Sequence, residues 1–187
     1  MSTSEPRKRD QRHSRAGAEF ELPLLVDHEL RRVSMSARAT KGEDQDFDDL
    51  VLASPDDPGR YADGGGERRF LSEIRDAGHD YVTVKRLSKK VPDFASSLWR
   101  VTLEHKEPDS DPSRGGASTL RNNLSRNITR ASSQSRRVVI DYRKYPGVSQ
   151  DAIAATLPQI LTFADVGPYV DKVLVVTADG GIHWERD

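Results

Sequence analysis

The chain has 187 residues, of which 35% are hydrophobic and 32% charged, with a formal net charge of -1. This length allows one domain of ordinary size plus extra segments, and the charge content argues that part of the chain stays solvated rather than packed. The lack of cysteine excludes disulfides, thiolate zinc sites and a cysteine nucleophile, and no apolar run reaches the ~20 residues that span a bilayer.

Residues 1–17 are polar and basic with no apolar segment behind them, and they read as a disordered arm rather than a secretory signal. Residues 18–66 read as an N-terminal extension and acidic linker. Leu22-Pro23-Leu24-Leu25-Val26 suggests a short strand and His28-Glu29-Leu30 a helical turn. From Gly42 to Asp57 there are seven acidic residues and no basic one, and Gly64-Gly65-Gly66 closes the stretch. Neither that glycine run nor Gly115-Gly116 has the spacing and lysine of a phosphate loop. The expectation is a non-membrane protein acting in the cytoplasm, including the case of a toxin domain cut from a larger secreted protein.

From Glu67 to the end, residues 67–187, the pattern is that of a folded α/β domain. Phe70, Leu71, Ile74 and Ala77 fall at helical spacing and Gly78 follows as a stop. Tyr81, Val82, Val84 and Leu87 suggest a strand, and Pro92-Asp93 breaks the chain after it. Leu98 to Lys106 alternates, with Trp99, Val101 and Leu103 on one face and Arg100, Thr102, Glu104 and Lys106 on the other. Residues 118–135 read as an amphipathic helix striped by Leu120, Leu124, Ile128 and Ala131. Val138-Val139-Ile140 is a short buried strand, and Ser149 caps a helix in which Pro158 predicts a kink or an early end. Lys172 to Thr177 forms a last buried strand, which Asp179-Gly180-Gly181 turns into Ile182-His183-Trp184. Alternating helices and strands argue for an α/β layer with a mixed sheet.

The residues that carry chemistry are Asp93, Glu104 and Lys106. Alternation puts Glu104 and Lys106 on one strand face, about 7 Å apart along the chain, and an Asp ending the preceding strand can share their pocket. Paired carboxylates bind a hard divalent cation, Mg²⁺ first, with Mn²⁺ or Zn²⁺ as alternatives. An adjacent ammonium can orient water or offset charge growing on a phosphate. Acid, acid and lysine are what metal-assisted phosphodiester hydrolysis needs. An exposed strand face with Glu104 and Lys106 merely paired would show the same residues. Between Arg114 and Lys144 eight basic residues accompany only Asp141, which suits a nucleic-acid face as well as it suits a solvated helix.

Taken together, Glu67 to Ala77-Gly78, Pro92-Asp93, Glu104-His105-Lys106, Ala117-Ser118-Thr119, Gln134 and Arg137-Val138-Val139-Ile140-Asp141 resemble the PD-(D/E)XK nuclease superfamily. More narrowly, the run from Glu67 to about Val176 is similar to the C-terminal nuclease domains of contact-dependent growth inhibition and related polymorphic toxins. The resemblance implies a restriction-endonuclease-like fold, a mixed β-sheet core flanked by helices. It implies metal ligands at Asp93 and Glu104, a catalytic lysine at Lys106, and an acidic first-helix residue at Glu67, with Glu73 as second choice. It also implies a tRNA or DNA substrate and a cognate immunity protein. The first 60 residues have no counterpart in that pattern.

Around this set, Thr102 shares the Glu104 face, Gln134 is a candidate for the lysine or the metal water, and Arg121, Arg126 and Arg130 are candidates for phosphate contacts. His105 alternates to the Trp99 face and reads as packed. His183 reads as a surface residue. Two other functions fit the residues: a metal-independent toxin RNase using His105, Lys106 and Thr119, and a non-catalytic nucleic-acid-binding or interaction module with a nuclease-like fold.

Overall fold

The computed structural model describes residues 47–88, 90–162 and 169–186. The basic arm, the expected strand at Leu22 to Val26 and part of the acidic stretch lie outside the described residues. Among the described residues, three α-helices and six strands follow in order: α1 (Gly65–Asp76), β1 (Val82–Thr83), β2 (Phe94–Ser96), β3 (Val101–Lys106), α2 (Gly116–Ser132), β4 (Arg137–Asp141), α3 (Gln150–Leu161), β5 (Lys172–Thr177) and β6 (Gly180–Glu185). The strands form one sheet in sequence order. The β1–β2 and β2–β3 pairs are antiparallel, β3–β4 and β4–β5 parallel, and β5–β6 antiparallel. The protein is therefore a mixed α/β fold, as the alternation of helix and strand periods requires.

Each parallel step needs a crossover, and α2 and α3 supply the two. Both pack on one face of the sheet, where Leu120, Leu124, Ile128, Ile153, Leu157 and Ile160 meet Val138, Ile140, Val173 and Val175. On the other face, α1 buries Phe70, Leu71 and Ile74 against Phe94, Leu103, Val139, Leu174 and Val176. Strand β4 is thus covered on both sides, which is why Val138-Val139-Ile140 is apolar without alternation. Burying each of these large side chains contributes about 1.5–3 kcal/mol.

Several elements differ from the sequence expectation. The strand expected from Leu98 begins only at Val101, because residues 97–100 form a turn. Ser96 Oγ donates to Asp80 Oδ1 (2.6 Å), Leu98 N–H donates to Asp80 Oδ2 (3.1 Å), and Arg100 takes a φ of 53°. These side-chain bonds have no hydrophobic period, and Leu98 is left exposed. Helix α3 continues through Pro158 to Leu161. The missing N–H would have met the carbonyl of Ala154, which lies on the exposed side of the helix where water can serve it. Residues 47–62, expected within the linker, lie against the sheet edge. Leu52 bridges Val84, Thr83 N–H donates to the Pro58 carbonyl (2.8 Å), and Phe47, Leu50 and Leu52 pack on Val84, Val91 and Ala95. Among the described residues no helix is long and apolar enough to cross a membrane.

Candidate active site

The antiparallel β2–β3 pairing assembles the site. Phe94 pairs with Leu103, so Asp93, one residue earlier, comes opposite Glu104. The expectation of an Asp at the end of a preceding strand is corrected: Asp93 stands at the start of β2, joined to β3 by a tight turn. Asp93 N–H donates to Glu104 Oε2 (3.0 Å), and His105 N–H donates to Asp93 Oδ2 (3.0 Å). Each carboxylate is thus held by the other's backbone neighbourhood, and both are buried.

Lys106 and Gln134 both donate to Glu104 Oε1. Lys106 keeps 26% of its side chain exposed, so the site opens on that side. Gln134 lies past the end of α2, in the connection to β4, rather than on the helix surface. Next to it, Ser135 Oγ hydrogen-bonds Thr102 Oγ1 (3.0 Å) and accepts from Arg137 N–H (3.1 Å). Thr102 therefore spends its hydroxyl on fixing the loop that carries Gln134. That is a different task from the substrate contact expected of it.

Glu67 occupies the third position of α1, where a glutamate characteristically reaches back to the chain before the helix. Its Oε2 accepts from Asp63 N–H (2.8 Å). Its Oε1 accepts from Arg86 Nη2 (2.8 Å), and the same nitrogen donates to Asp93 Oδ1. Glu67 thus joins the site through Arg86. Four carboxylates, Asp63, Glu67, Asp93 and Glu104, meet two side-chain cations, Arg86 and Lys106. Arg86 was not singled out from sequence. The signal was the basic run Lys85-Arg86 with Lys89-Lys90, between Val84 and Val91.

The electrostatics follow from this crowding. Burial, then the neighbouring charge of Asp93, pushes the Glu104 carboxyl up to about 8 against the pull of Lys106. Burial and Asp93 also raise Glu67. A buried carboxyl pushed toward its neutral form by burial and a neighbouring carboxylate is a common property of sites that bind cations or transfer protons. The donors are all hard oxygens, and Asp93 with Glu104 matches the one or two carboxylates by which Mg²⁺ is usually held beside water and phosphate. Among the described residues, no three His, Asp or Glu side chains converge as a complete cage.

Other candidates lie apart from this centre. His105 faces α1, stacked on Phe70 at 4.8 Å, with Nε2 3.5 Å from Asp141 Oδ2. Lys106 points to the opposite face, so the trio His105, Lys106 and Thr119 does not assemble. Thr119 Oγ1 instead donates to the Gly115 carbonyl (2.9 Å). Glu73 also belongs to the α1 face, bonded to Arg143 (2.7 Å). His183 is exposed on β6, three strands from β3, about 14 Å across the sheet. Arg121, Arg126 and Arg130 are exposed on α2. Arg130 is one turn from Gln134, whereas Arg121 lies about 20 Å back along the helix axis at 1.5 Å per residue.

Comparisons with protein-family models, with curated proteins and with solved structures gave no match.

Proposed function

We propose that this protein is a metal-dependent nuclease that hydrolyses phosphodiester bonds of nucleic acid, tRNA before DNA. The observation that carries the reading is the buried Asp93–Glu104 pair with Lys106 and Gln134 converging on one Glu104 oxygen. The element order supports the resemblance to PD-(D/E)XK nucleases: a helix, antiparallel strands ending in Glu104-His105-Lys106, a helix, then a parallel strand. The toxin setting and a cognate immunity protein rest on the sequence resemblance alone.

Asp93 and Glu104 would hold the divalent cation, with Glu67 as a further oxygen donor. When bound, such a cation offsets phosphate charge and lowers the pKa of a water. The chain's own groups do the rest. Lys106, partly exposed beside Glu104, donates to the attacking water or to the oxygen gaining charge on phosphorus. Gln134 fixes the Glu104 carboxylate so that its orientation survives substrate entry. The outward arginines of α2, Arg130 first, hold flanking phosphates without reading sequence.

The test is cleavage of total RNA and plasmid DNA by purified protein in Mg²⁺, Mn²⁺, Zn²⁺ or EDTA, beside Glu104→Ala. Cleavage that needs the ion and is lost in the variant is expected. Cleavage that survives EDTA, or equal cleavage by the variant, would refute the reading.

A further inference from the structure

Arg86 stands where two carboxylates from different elements meet. Its Nη2 is 2.8 Å from Glu67 Oε1, contributed by α1, and hydrogen-bonded to Asp93 Oδ1, at the start of β2. Its Nη1 holds Asp63 Oδ2. Among the described residues no other lysine or arginine pairs with Glu67 or Asp93. One positively charged nitrogen thus pairs with two of the three carboxylates that would hold a cation. The Glu104 half of the site is complete without it, because Lys106, Gln134 and the Asp93 N–H serve Glu104.

Arg86 reaches these carboxylates from the solvent side. Residues 85–88 are all exposed, and Arg86 keeps 40% of its side chain in solvent. A guanidinium and a divalent ion repel each other at close range, so each weakens the other's hold on a shared carboxylate oxygen. A released guanidinium carries a planar fork that fits phosphate as well as it fits carboxylate.

Building on the nuclease reading, we infer that Arg86 and the divalent cation compete for Glu67 and Asp93, and that cation binding frees Arg86 to take a phosphate of the nucleic acid. The apo site is thereby kept closed to weak cations. Loading the metal creates a substrate contact that the metal-free protein lacks. Arg86 is in this scheme a positioning residue that couples the two binding events.

The experiment is calorimetric titration of the full chain with Mn²⁺ alone, for wild type, Arg86→Met and Arg86→Lys. Arg86→Met should bind Mn²⁺ about tenfold or more tighter, the size of an ordinary coupling between sites, with Arg86→Lys between it and wild type. In Ca²⁺, Arg86→Met should bind an RNA hairpin severalfold more weakly. A check without any variant is the Arg86 side-chain Nε–H resonance, which should move toward its solvent-exposed position as Mg²⁺ is added to wild type. Unchanged or weaker Mn²⁺ affinity in Arg86→Met, or an unmoved resonance, overturns the competition. If metal-dependent cleavage persists alongside that result, only the role of Arg86 falls. If neither protein binds Mn²⁺ and wild type does not cleave, the nuclease reading falls with it.

Discussion

Strand β3 separates two buried carboxylate clusters that the same chain treats in opposite ways. On the α2 side, Asp93 and Glu104 confront each other, and burial with mutual repulsion lifts Glu104 to about 8. On the α1 side, Asp141 is equally buried, but it receives Arg143 Nη2 (2.6 Å), Arg143 Nε (3.0 Å) and Arg69 Nη2 (3.2 Å). Burial again opposes ionisation there, yet the contacts from His105 and Arg143 outweigh it and hold Asp141 below the usual carboxylate range. Arg143 in turn is held by Glu73 at 2.7 Å. A cluster whose charges are matched locks strands to a helix. One whose charges are left in conflict is available to a ligand that resolves the conflict.

Four measurements test this contrast. Glu104→Gln should reduce cleavage by about 10³-fold or more, equivalent to about 4 kcal/mol of barrier, while leaving chemical-denaturation stability equal to or above wild type. Loss of both would mean that Glu104 holds the fold together rather than serving the reaction. Asp141→Asn should do the reverse, costing about 3 kcal/mol of stability by leaving Arg143 buried without its main partner. An unaffected unfolding midpoint would remove that distinction.

The pH dependences should also run in opposite directions. Glu104 has a folded pKa above its unfolded value of 4.5, so folding takes up a proton between there and about 8. Its contribution therefore falls as pH rises through that window, by at most about 1.4 kcal/mol per pH unit. Asp141, with a depressed folded pKa, contributes above its ordinary value of 3.8 and loses that contribution on acidification below it. Urea unfolding of chelated wild type and Glu104→Gln at pH 5, 6.5 and 8 should give curves that diverge with pH, and parallel curves would contradict the assignment. The smallest effect is expected on the surface. Arg130→Ala should weaken RNA binding by about 1 kcal/mol or less, with Arg121→Ala weaker still. Equal losses measured by fluorescence anisotropy would argue against a substrate face ordered around Gln134.

The α/β class, the buried β4 and β5 and the Ser149 cap were legible because they rest on local periods and local capping. Ser149 Oγ does accept from Ala152 N–H, at 3.2 Å. The alternation from Val101 to Lys106 was enough to put Glu104 and Lys106 on one face and His105 on the other, since that choice depends only on the pleat. The 97–100 turn, the arrival of Asp93 beside Glu104 through antiparallel pairing, the diversion of Thr102 to Ser135 and the bridge made by Arg86 were decided by the tertiary structure. Each joins residues from different elements through charge or single hydrogen bonds, and such contacts leave no period in a linear sequence. The sequence determined that Glu104 and Lys106 share one strand face. Only the fold decided how closely the acids are pressed together, and hence which of two buried carboxylates is left unsettled.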